Sequence, residues 1–167
     1  MKGSKEGTGG NLVKVIVATS YDKGVIEVYE YEHLDGNKFA EFVDERFSAM
    51  FETSGKAPSR LFLQDNAPNQ NSARVRGALR RARAKQLNFP PRSGDLNPIE
   101  NLFKRVKELL HEDAIEKKIE YETFNEFKAR VIATLRNFSI DEHNKTIASM
   151  PKRMDMVIAN KGDRTKY

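Results

Sequence analysis

The chain has 167 residues, of which 38% are apolar and 32% are charged, an ordinary composition for one globular domain with its own core. No run approaches the roughly 18 to 20 consecutive apolar residues of a membrane helix, and the first eleven residues lack the apolar centre of a signal peptide. We therefore expect no membrane association and a location in the cytosol or nucleus. The net charge of +5 is compatible with a polyanionic partner without specifying one.

The residue types restrict the metal chemistry that is available. The chain has no cysteine, which excludes disulfides and thiolate metal sites. Its three histidines, His33, His111 and His143, show no recognisable ligand spacing. Any bound metal ion should therefore be held by oxygen atoms.

The N-terminal part of the chain predicts a hairpin covered by a helix. Residues 1–11 are rich in Gly, Ser and Lys and read as a flexible lead-in. The β-branched run at 12–18 is typical of a largely buried strand, and the turn residues at 21–24 separate it from a second strand at 25–31. Apolar residues at helical spacing then predict a helix over 38–53 that covers the sheet.

The next segment predicts a strand, a helix and a second strand. The short apolar run at 60–64 ends at Asp65, residues 72–84 have helical periodicity, and 86–89 form another brief strand. Strands joined through a crossover helix pair in parallel, so both should end at the same edge of the sheet. A further helix begins at Pro98, and its first turn is expected near that edge.

Two acids are predicted to meet at this edge. Asp65 follows the first parallel strand, and Glu100 lies in the first turn of the helix capped by Asn97. Ligand sites in open α/β sheets lie outside the carboxyl ends of the strands, and paired carboxylates can bind divalent cations for phosphodiester chemistry. Structural alternatives remain open at this point. Asp65 could form only an Asx turn, and Asn97 with Glu100 resembles a capping box.

Two motifs carry a resemblance to a known family. Residues 64–68 read QDNAP, and residues 93–102 read SGDLNPIENL, with 34 residues between Asp65 and Glu100. Together they resemble the second and third acid motifs of mariner-superfamily transposases with a final Glu. The segments 150–153 and 162–167 resemble the closing part of the same family, so the likeness covers nearly the whole chain.

The resemblance implies a fold and a reaction. It implies an α/β, RNase H-like mixed sheet flanked by helices, and metal-dependent DNA cleavage and strand transfer. Asp65 and Glu100 would be the second and third catalytic acids and would bind Mg²⁺ or Mn²⁺. The implied partner is DNA, both transposon ends and target, and the implied location is the nucleus.

The sequence also departs from the family pattern. The first acid of the family lies on a strand farther upstream of the second acid than the 64 residues available here, so we expect the sequence to lack that acid and its central strand. Asp22 and Asp35 fall in a turn and near a helix start, and neither is a substitute. Gln70 stands where the family often has His, and Gly94 where it usually has Pro.

The expected missing strand has architectural consequences. In the RNase H-like order it lies between the hairpin and the strand at 61–63, so its absence leaves two open strand edges. It should also uncover Val15, Val17 and Phe62. An isolated chain of this kind should be marginally stable or form a homodimer through its edges.

We treat residues 1–167 as one partial catalytic domain. It divides into the lead-in at 1–11, an α/β core at 12–113 and a C-terminal helical part at 114–167. Within the last part, residues 120–138 have the spacing of a core-packing helix and receive no chemical role.

A basic stripe follows the motif at Asp65. It consists of six basic residues without an intervening acid, namely Arg74, Arg76, Arg80, Arg81, Arg83 and Lys85. Such a stripe would suit binding to DNA phosphates, whereas the structural alternative is a solvated helix face. No helix-turn-helix segment for reading a DNA sequence is recognisable.

Three hypotheses about function follow. The chain is a fragment or remnant of a transposase catalytic domain, inactive alone, which we favour. It could instead be a non-catalytic DNA-binding or protein-interaction module derived from a transposase. The third reading, an active nuclease that recruits another acid, is the weakest because two carboxylates supply only two negative charges.

Overall fold

The computed structural model describes residues 12–55, 57–64, 67–87 and 96–162, apart from the side chain of Asn69. Asp65, Gly94, the lead-in at 1–11 and the residues from 163 onward lie outside the described residues. In chain order the elements are β1 (Val15–Ser20), β2 (Gly24–Glu30), α1 (Gly36–Thr53), β3 (Leu61–Phe62), a short 3-10 helix (Pro68–Gln70), α2 (Ala73–Arg81), β4 (Lys85–Gln86), α3 (Pro98–Glu116), α4 (Phe124–Arg136), α5 (Ile140–Ala148) and α6 (Met150–Ala159).

The first two strands form the predicted antiparallel hairpin. Val15 lies opposite Glu30, and the register shifts by a bulge between Ala18 and Thr19. The turn ends at Gly24, whose φ of +66° favours glycine, and a Cβ there would approach Ile140 Cγ1 to 2.9 Å. The strand β1 is less buried than its composition predicted, since most of its residues are only half-buried.

The second strand pair is parallel, as predicted for a strand–helix–strand unit. Leu61 of β3 lies opposite Lys85 of β4, and Phe62 lies opposite Gln86. Both strands are shorter than the apolar runs suggested, and positions 88 and 89 lie outside the described residues. Within the described part of the chain, the hairpin and the parallel pair are two separate sheets.

Helices cover the hairpin on both sides. Ile16 and Tyr29 pack against the core of α1 and α2, whereas Val17 and Val28 pack against the core of α3 and α4. Neighbouring strand residues point to opposite faces, so this alternation produces three layers. The expectation that Val17 would be uncovered is wrong, because α3 and α4 bury it, while Val15 and Phe62 are half-buried.

Short polar side chains cap the helix starts, as predicted for Asn97 of α3. Asp35 accepts hydrogen bonds from the N–H groups of Asn37 and Lys38, and Ser72 accepts one from Val75. The helix expected over 120–138 begins later, at Phe124, because Thr123 and Glu126 form a capping box. The expected boundary between the α/β core and the C-terminal helical part, after residue 113, falls inside α3, and that division stays a prediction. Among the described helices, none has the length and apolar character needed to cross a bilayer.

His143 of α5 is a buried polar group in this core. Its side chain is 1% exposed, and neither ring nitrogen has a hydrogen-bond partner among the described residues. Burial lowers the pKa of His143 below its ordinary value, because desolvation penalises the imidazolium form. The folded protein therefore holds this ring neutral where the unfolded chain would already be protonated.

The stability of the fold should consequently decrease in mild acid. Below about pH 6.5 the unfolded state binds more protons at His143 than the folded state, so this residue lowers the free energy of unfolding by at most about 1.4 kcal/mol per pH unit. Urea unfolding between pH 7.5 and 5.5 measures this loss. His143→Leu should flatten the dependence, and His111→Gln, at an exposed position on α3, is the control. An equally steep dependence in His143→Leu would contradict the assignment.

Candidate functional site

A groove of about 720 Å³ lies between the two sheets. The strands β1 and β3 form its sides, and residues of α1 and α3 also line it. Gln64, two residues after β3, and Glu100, in the first turn of α3, both line this groove. The structure thus brings the C-terminal end of a parallel strand together with the start of α3, as expected for a ligand site in an α/β sheet.

Glu100 is presented to solvent by the start of α3. Pro98 occupies the first turn, and Asn97 Oδ1 accepts a hydrogen bond from the N–H of Ile99 at 3.4 Å. Glu100 is exposed, and its carboxylate forms no hydrogen bond or ion pair with any described residue. The capping-box alternative is therefore not seen here, and no described residue engages the Glu100 carboxylate.

Asp65 itself lies outside the described residues, so its role as a metal ligand stays a prediction. Its flanking segments are described. β3 leads to Gln64 on one side, and the 3-10 helix Pro68–Gln70 begins two residues after Asn66 on the other. The chain therefore passes the groove at Gln64 immediately before it reaches Asp65.

Two buried side-chain amide atoms belong to residues that line the same groove as Glu100. Gln64 Nε2 and Gln70 Oε1 are buried and have no hydrogen-bond partner among the described residues. A buried polar atom without a partner costs about 1–3 kcal/mol, so these atoms favour a ligand that supplies one acceptor and one donor. Gln70 is the position at which the family that this sequence resembles often has a His.

Asp22 and Asp35 are engaged elsewhere. Asp22 Oδ1 accepts a hydrogen bond from Asn144 Nδ2 at 3.0 Å, which joins the hairpin turn to α5. The backbone N–H of Lys38, followed by that of Asn37, donates to Asp35 and lowers the pKa of its carboxyl. Neither acid lines the groove. Among the described residues, no three His, Asp or Glu side chains form a group suited to a metal ion.

Arg153 contacts the residue that follows Glu100, and sequence reasoning noted it only as part of the 150–153 motif. It lies on α6 and is 4% exposed. Its Nη1 donates to Asn101 Oδ1 at 2.9 Å, and its Nε donates to Ser149 Oγ at 2.9 Å. Since Asn101 is adjacent to Glu100, this contact ties the first turn of α3 to the C-terminal helices.

The basic stripe is exposed along its whole length but divides into two kinds of residue. Arg81 forms two hydrogen bonds with Asp44, of 3.0 and 2.6 Å, which lower the pKa of that carboxyl, and Arg74 lies 3.9 Å from Glu41. Arg76 Nη1 donates to the carbonyl of Asn71. The side chains with no polar partner among the described residues are Arg80, Arg83 and Lys85. These three cations remain available to a polyanion.

Sequence comparisons agree with the motifs. Residues 2–122 match the family described as DDE superfamily endonuclease. The Tcb1 transposase of Caenorhabditis briggsae is 33% identical over 109 residues, which cover 65% of this chain and 38% of that protein. The Tc1 transposase of Caenorhabditis elegans is 34% identical over 113 residues, covering 64% and 37%. The chain thus spans less than two fifths of these relatives.

Solved structures share the fold. The catalytic domain of Mos1 mariner transposase has a TM-score of 0.70 and 18% identity, with 92% of this chain and 82% of that chain covered. A Mos1 catalytic domain solved with raltegravir and Mg has a TM-score of 0.69 and 20% identity, with coverage of 86% and 73%. A Mos1 paired-end complex with the left transposon end has a TM-score of 0.68 and 17% identity, with coverage of 98% and 48%.

The family match extends over far more than half of the 167 residues, and the layered α/β arrangement agrees with it. The expected RNase H-like fold is confirmed. This chain therefore belongs to the DDE superfamily endonucleases.

Proposed function

We propose that this chain supplies two metal-binding carboxylates, Asp65 and Glu100, to the DNA cleavage and strand transfer reactions of a mariner-type transposase. One observation carries the proposal: Gln64, the residue directly before Asp65, lines the same groove as Glu100. The free carboxylate of Glu100 at a helix start adds support, because it has no structural partner among the described residues.

The proposed cofactor is Mg²⁺ or Mn²⁺. Carboxylate and amide oxygens are the ligands that such hard cations prefer, and Glu100 together with Asp65 would provide them. A bound divalent cation can polarise a phosphodiester and stabilise its leaving oxygen. One of the Mos1 structures was solved with Mg, which supports the same choice for this chain.

We further propose that the 167-residue chain does not cleave DNA by itself. Glu100 is the single carboxylate among the described residues that line the groove, and Asp22 and Asp35 have structural partners at other places. Two carboxylates carry a charge of −2, which would leave two divalent cations half neutralised. The chain should therefore hold a metal ion weakly and lack a complete catalytic site.

DNA is the proposed macromolecular partner, both transposon ends and target. Arg80, Arg83 and Lys85, which have no polar partner among the described residues, would contact phosphates, and the other members of the basic stripe are Arg74, Arg76 and Arg81. A Mos1 structure contains a transposon end, which supports DNA as the partner. A nuclear location and a homodimer belong to the same proposal, the dimer because of the open strand edges.

A second candidate is a non-catalytic module that binds DNA. The three unpaired cations favour it, since phosphate binding by them requires no metal ion. The two candidates differ in their dependence on Glu100, which is needed for metal binding and not for binding through the basic stripe.

Metal binding tests the first candidate directly. Glu100→Gln and Asp65→Asn should each weaken Mn²⁺ binding by roughly tenfold or more, because each removes one of two charged ligands. The electron paramagnetic resonance signal of free Mn²⁺ measures this affinity. Glu116→Gln, an exposed position at the other end of α3, is the matched control and should bind like the unaltered chain. Equal affinity in all four proteins would refute the proposed site.

Incubation with supercoiled plasmid and either Mg²⁺ or Mn²⁺ tests the lack of cleavage. We expect no nicked product from the 167-residue chain over a background reaction without protein. Nicking that disappears in both Asp65→Asn and Glu100→Gln would mean that another acid completes the site, and the proposal of inactivity would then be wrong.

The salt dependence of DNA binding tests the basic stripe. Replacing both Arg80 and Arg83 by Ala should flatten the slope of log affinity against log salt by up to about 1.8, or 0.9 for each lost phosphate contact. Fluorescence anisotropy of a labelled duplex gives this slope. The control replaces Arg74 and Arg81 by Ala, which also removes two positive charges. Both arginines already pair with acids of α1, so this variant should change the slope less. An unaltered slope in the first variant removes this surface from the DNA interface.

A further inference from the structure

The first turn of α3, which presents Glu100, is held only weakly by its own helix. Pro98 has no N–H, and the cap hydrogen bond from the N–H of Ile99 to Asn97 Oδ1 is long, at 3.4 Å. The N–H of Glu100 donates to the carbonyl of Asn97, three residues back, at 3.1 Å. Helix ends lack part of the hydrogen bonding of the interior and fray readily. The direction of the Glu100 carboxylate therefore depends on contacts from elsewhere in the fold.

Two tertiary contacts flank Glu100 on opposite sides of the helix. Successive residues of an α-helix are about 100° apart, so Ile99 and Asn101 lie about 200° from each other with Glu100 between them. Ile99 packs against the apolar core of α3 and α4, whereas Asn101 Oδ1 accepts a hydrogen bond from Arg153 Nη1 at 2.9 Å. A rotation of the first turn that redirected Glu100 would have to disturb one of these contacts.

Arg153 is suited to hold a position because its donors are fixed relative to one another. Its Nε donates to Ser149 Oγ at 2.9 Å, and Ser149 Oγ donates in turn to the carbonyl of Thr146 at 2.6 Å. The guanidinium is planar and rigid, so two partners bound at once define its orientation. The side chain of Arg153 thus connects the junction of α5 and α6 to Asn101 along one defined path.

The burial of this cation is costly for a contact that only fills space. Arg153 is 4% exposed, and arginine is almost never buried unless its donors are engaged. An apolar side chain of similar volume would fill the same space without removing a charge from water. Directed hydrogen bonds are what the guanidinium supplies in its place, and one of them goes to the residue next to Glu100.

The helix next to Arg153 is itself fixed to the rest of the fold. Asn144 of α5 and Asp22 of the hairpin turn exchange two hydrogen bonds, of 2.9 and 3.0 Å. Arg105 of α3 lies 3.7 Å from Glu142 of α5. The junction of α5 and α6 therefore offers a fixed support from which Arg153 can hold α3.

We propose that Arg153 is a positioning residue, which fixes the first turn of α3 through Asn101 and thereby sets the direction of the Glu100 carboxylate. It acts through another residue and is assigned no contact with a ligand. Its effect on metal binding rests on the proposed function, whereas its effect on the first turn of α3 does not.

The affinity of the full chain for Mn²⁺ tests the proposal at a temperature at which circular dichroism shows every variant folded. Arg153→Gln should weaken Mn²⁺ binding by about threefold to tenfold, less than Glu100→Gln, because the carboxylate is retained but is directed less well. Arg153→Lys keeps the charge and a single donor group, and should recover part of the affinity.

Arg130→Gln is the matched control. Arg130 is also largely buried, and its Nη1 donates to the carbonyl of Leu110 at 2.7 Å, which anchors the other half of α3. Its loss should lower the stability of the fold and leave the Mn²⁺ affinity unaltered. Equal losses of affinity in Arg153→Gln and Arg130→Gln would overturn the proposal, because they would show only a general effect of stability.

A double variant tests the route through Asn101. Arg153→Gln combined with Asn101→Ala should bind Mn²⁺ no more weakly than Arg153→Gln alone, because both substitutions remove the same contact. Additive losses of affinity would mean that the two residues act separately, and the proposed route would then be wrong.

Hydrogen exchange of the metal-free protein separates this proposal from the proposed function. The amides of Ile99 and Glu100 should exchange about tenfold faster in Arg153→Gln and at an unaltered rate in Arg130→Gln. If Glu100→Gln leaves Mn²⁺ binding unaltered, the proposed metal site is wrong, and the exchange rates alone decide whether Arg153 fixes the turn. Unaltered exchange at both amides in Arg153→Gln would overturn the positioning role in either case.

Discussion

The structure depends on a row of aromatic rings that joins two sheets which share no strand pairing in the described part of the chain. Tyr29 of β2 contacts Phe42 of α1 at 4.8 Å between ring centroids, and Phe42 contacts Phe47 at 5.9 Å. Phe47 in turn meets Phe62 of β3 at 5.2 Å, almost perpendicular to it. Aromatic pairs add about 0.5–1.5 kcal/mol each beyond their buried area. Helix α1 therefore holds the hairpin and the parallel pair together by side-chain packing. Strands of a single sheet would be held together by backbone hydrogen bonds.

This arrangement explains why the candidate site lies in the groove between the two sheets. Because α1 and α3 cover the space from opposite sides, the open edges of β1 and β3 stay aligned along it. Gln64 lines the groove just after the end of β3, and Glu100 lines it from the first turn of α3. Arg153 holds the adjacent Asn101 from the C-terminal helices, so a segment distant in sequence stabilises the first turn that presents the acid.

Electrostatics near the site depends on which charges already have partners. Asp44 of α1 binds Arg81 of the basic stripe, and this ion pair joins two helices on the protein surface. Exposed pairs of this kind contribute little stability, about 0–1 kcal/mol. Their larger effect here is to divide the stripe, so that Arg80 and Arg83 keep their full charge available while Arg81 is directed toward α1. Formal charge along a helix therefore overstates the charge that a polyanion would meet.

Local patterns in the sequence determined much of this protein. The turn before Gly24 and the helix start at Pro98 each depend on a few neighbouring residues, and both were predicted correctly. The acid motifs also identified the family, since a long paired match leaves few alternatives. Only the tertiary structure decided the burial of Val17, the partner of Arg81 and the unsatisfied amides of Gln64 and Gln70. These properties arise from residues far apart in the chain, and burial or pairing across such distances has no signature in a local window of sequence.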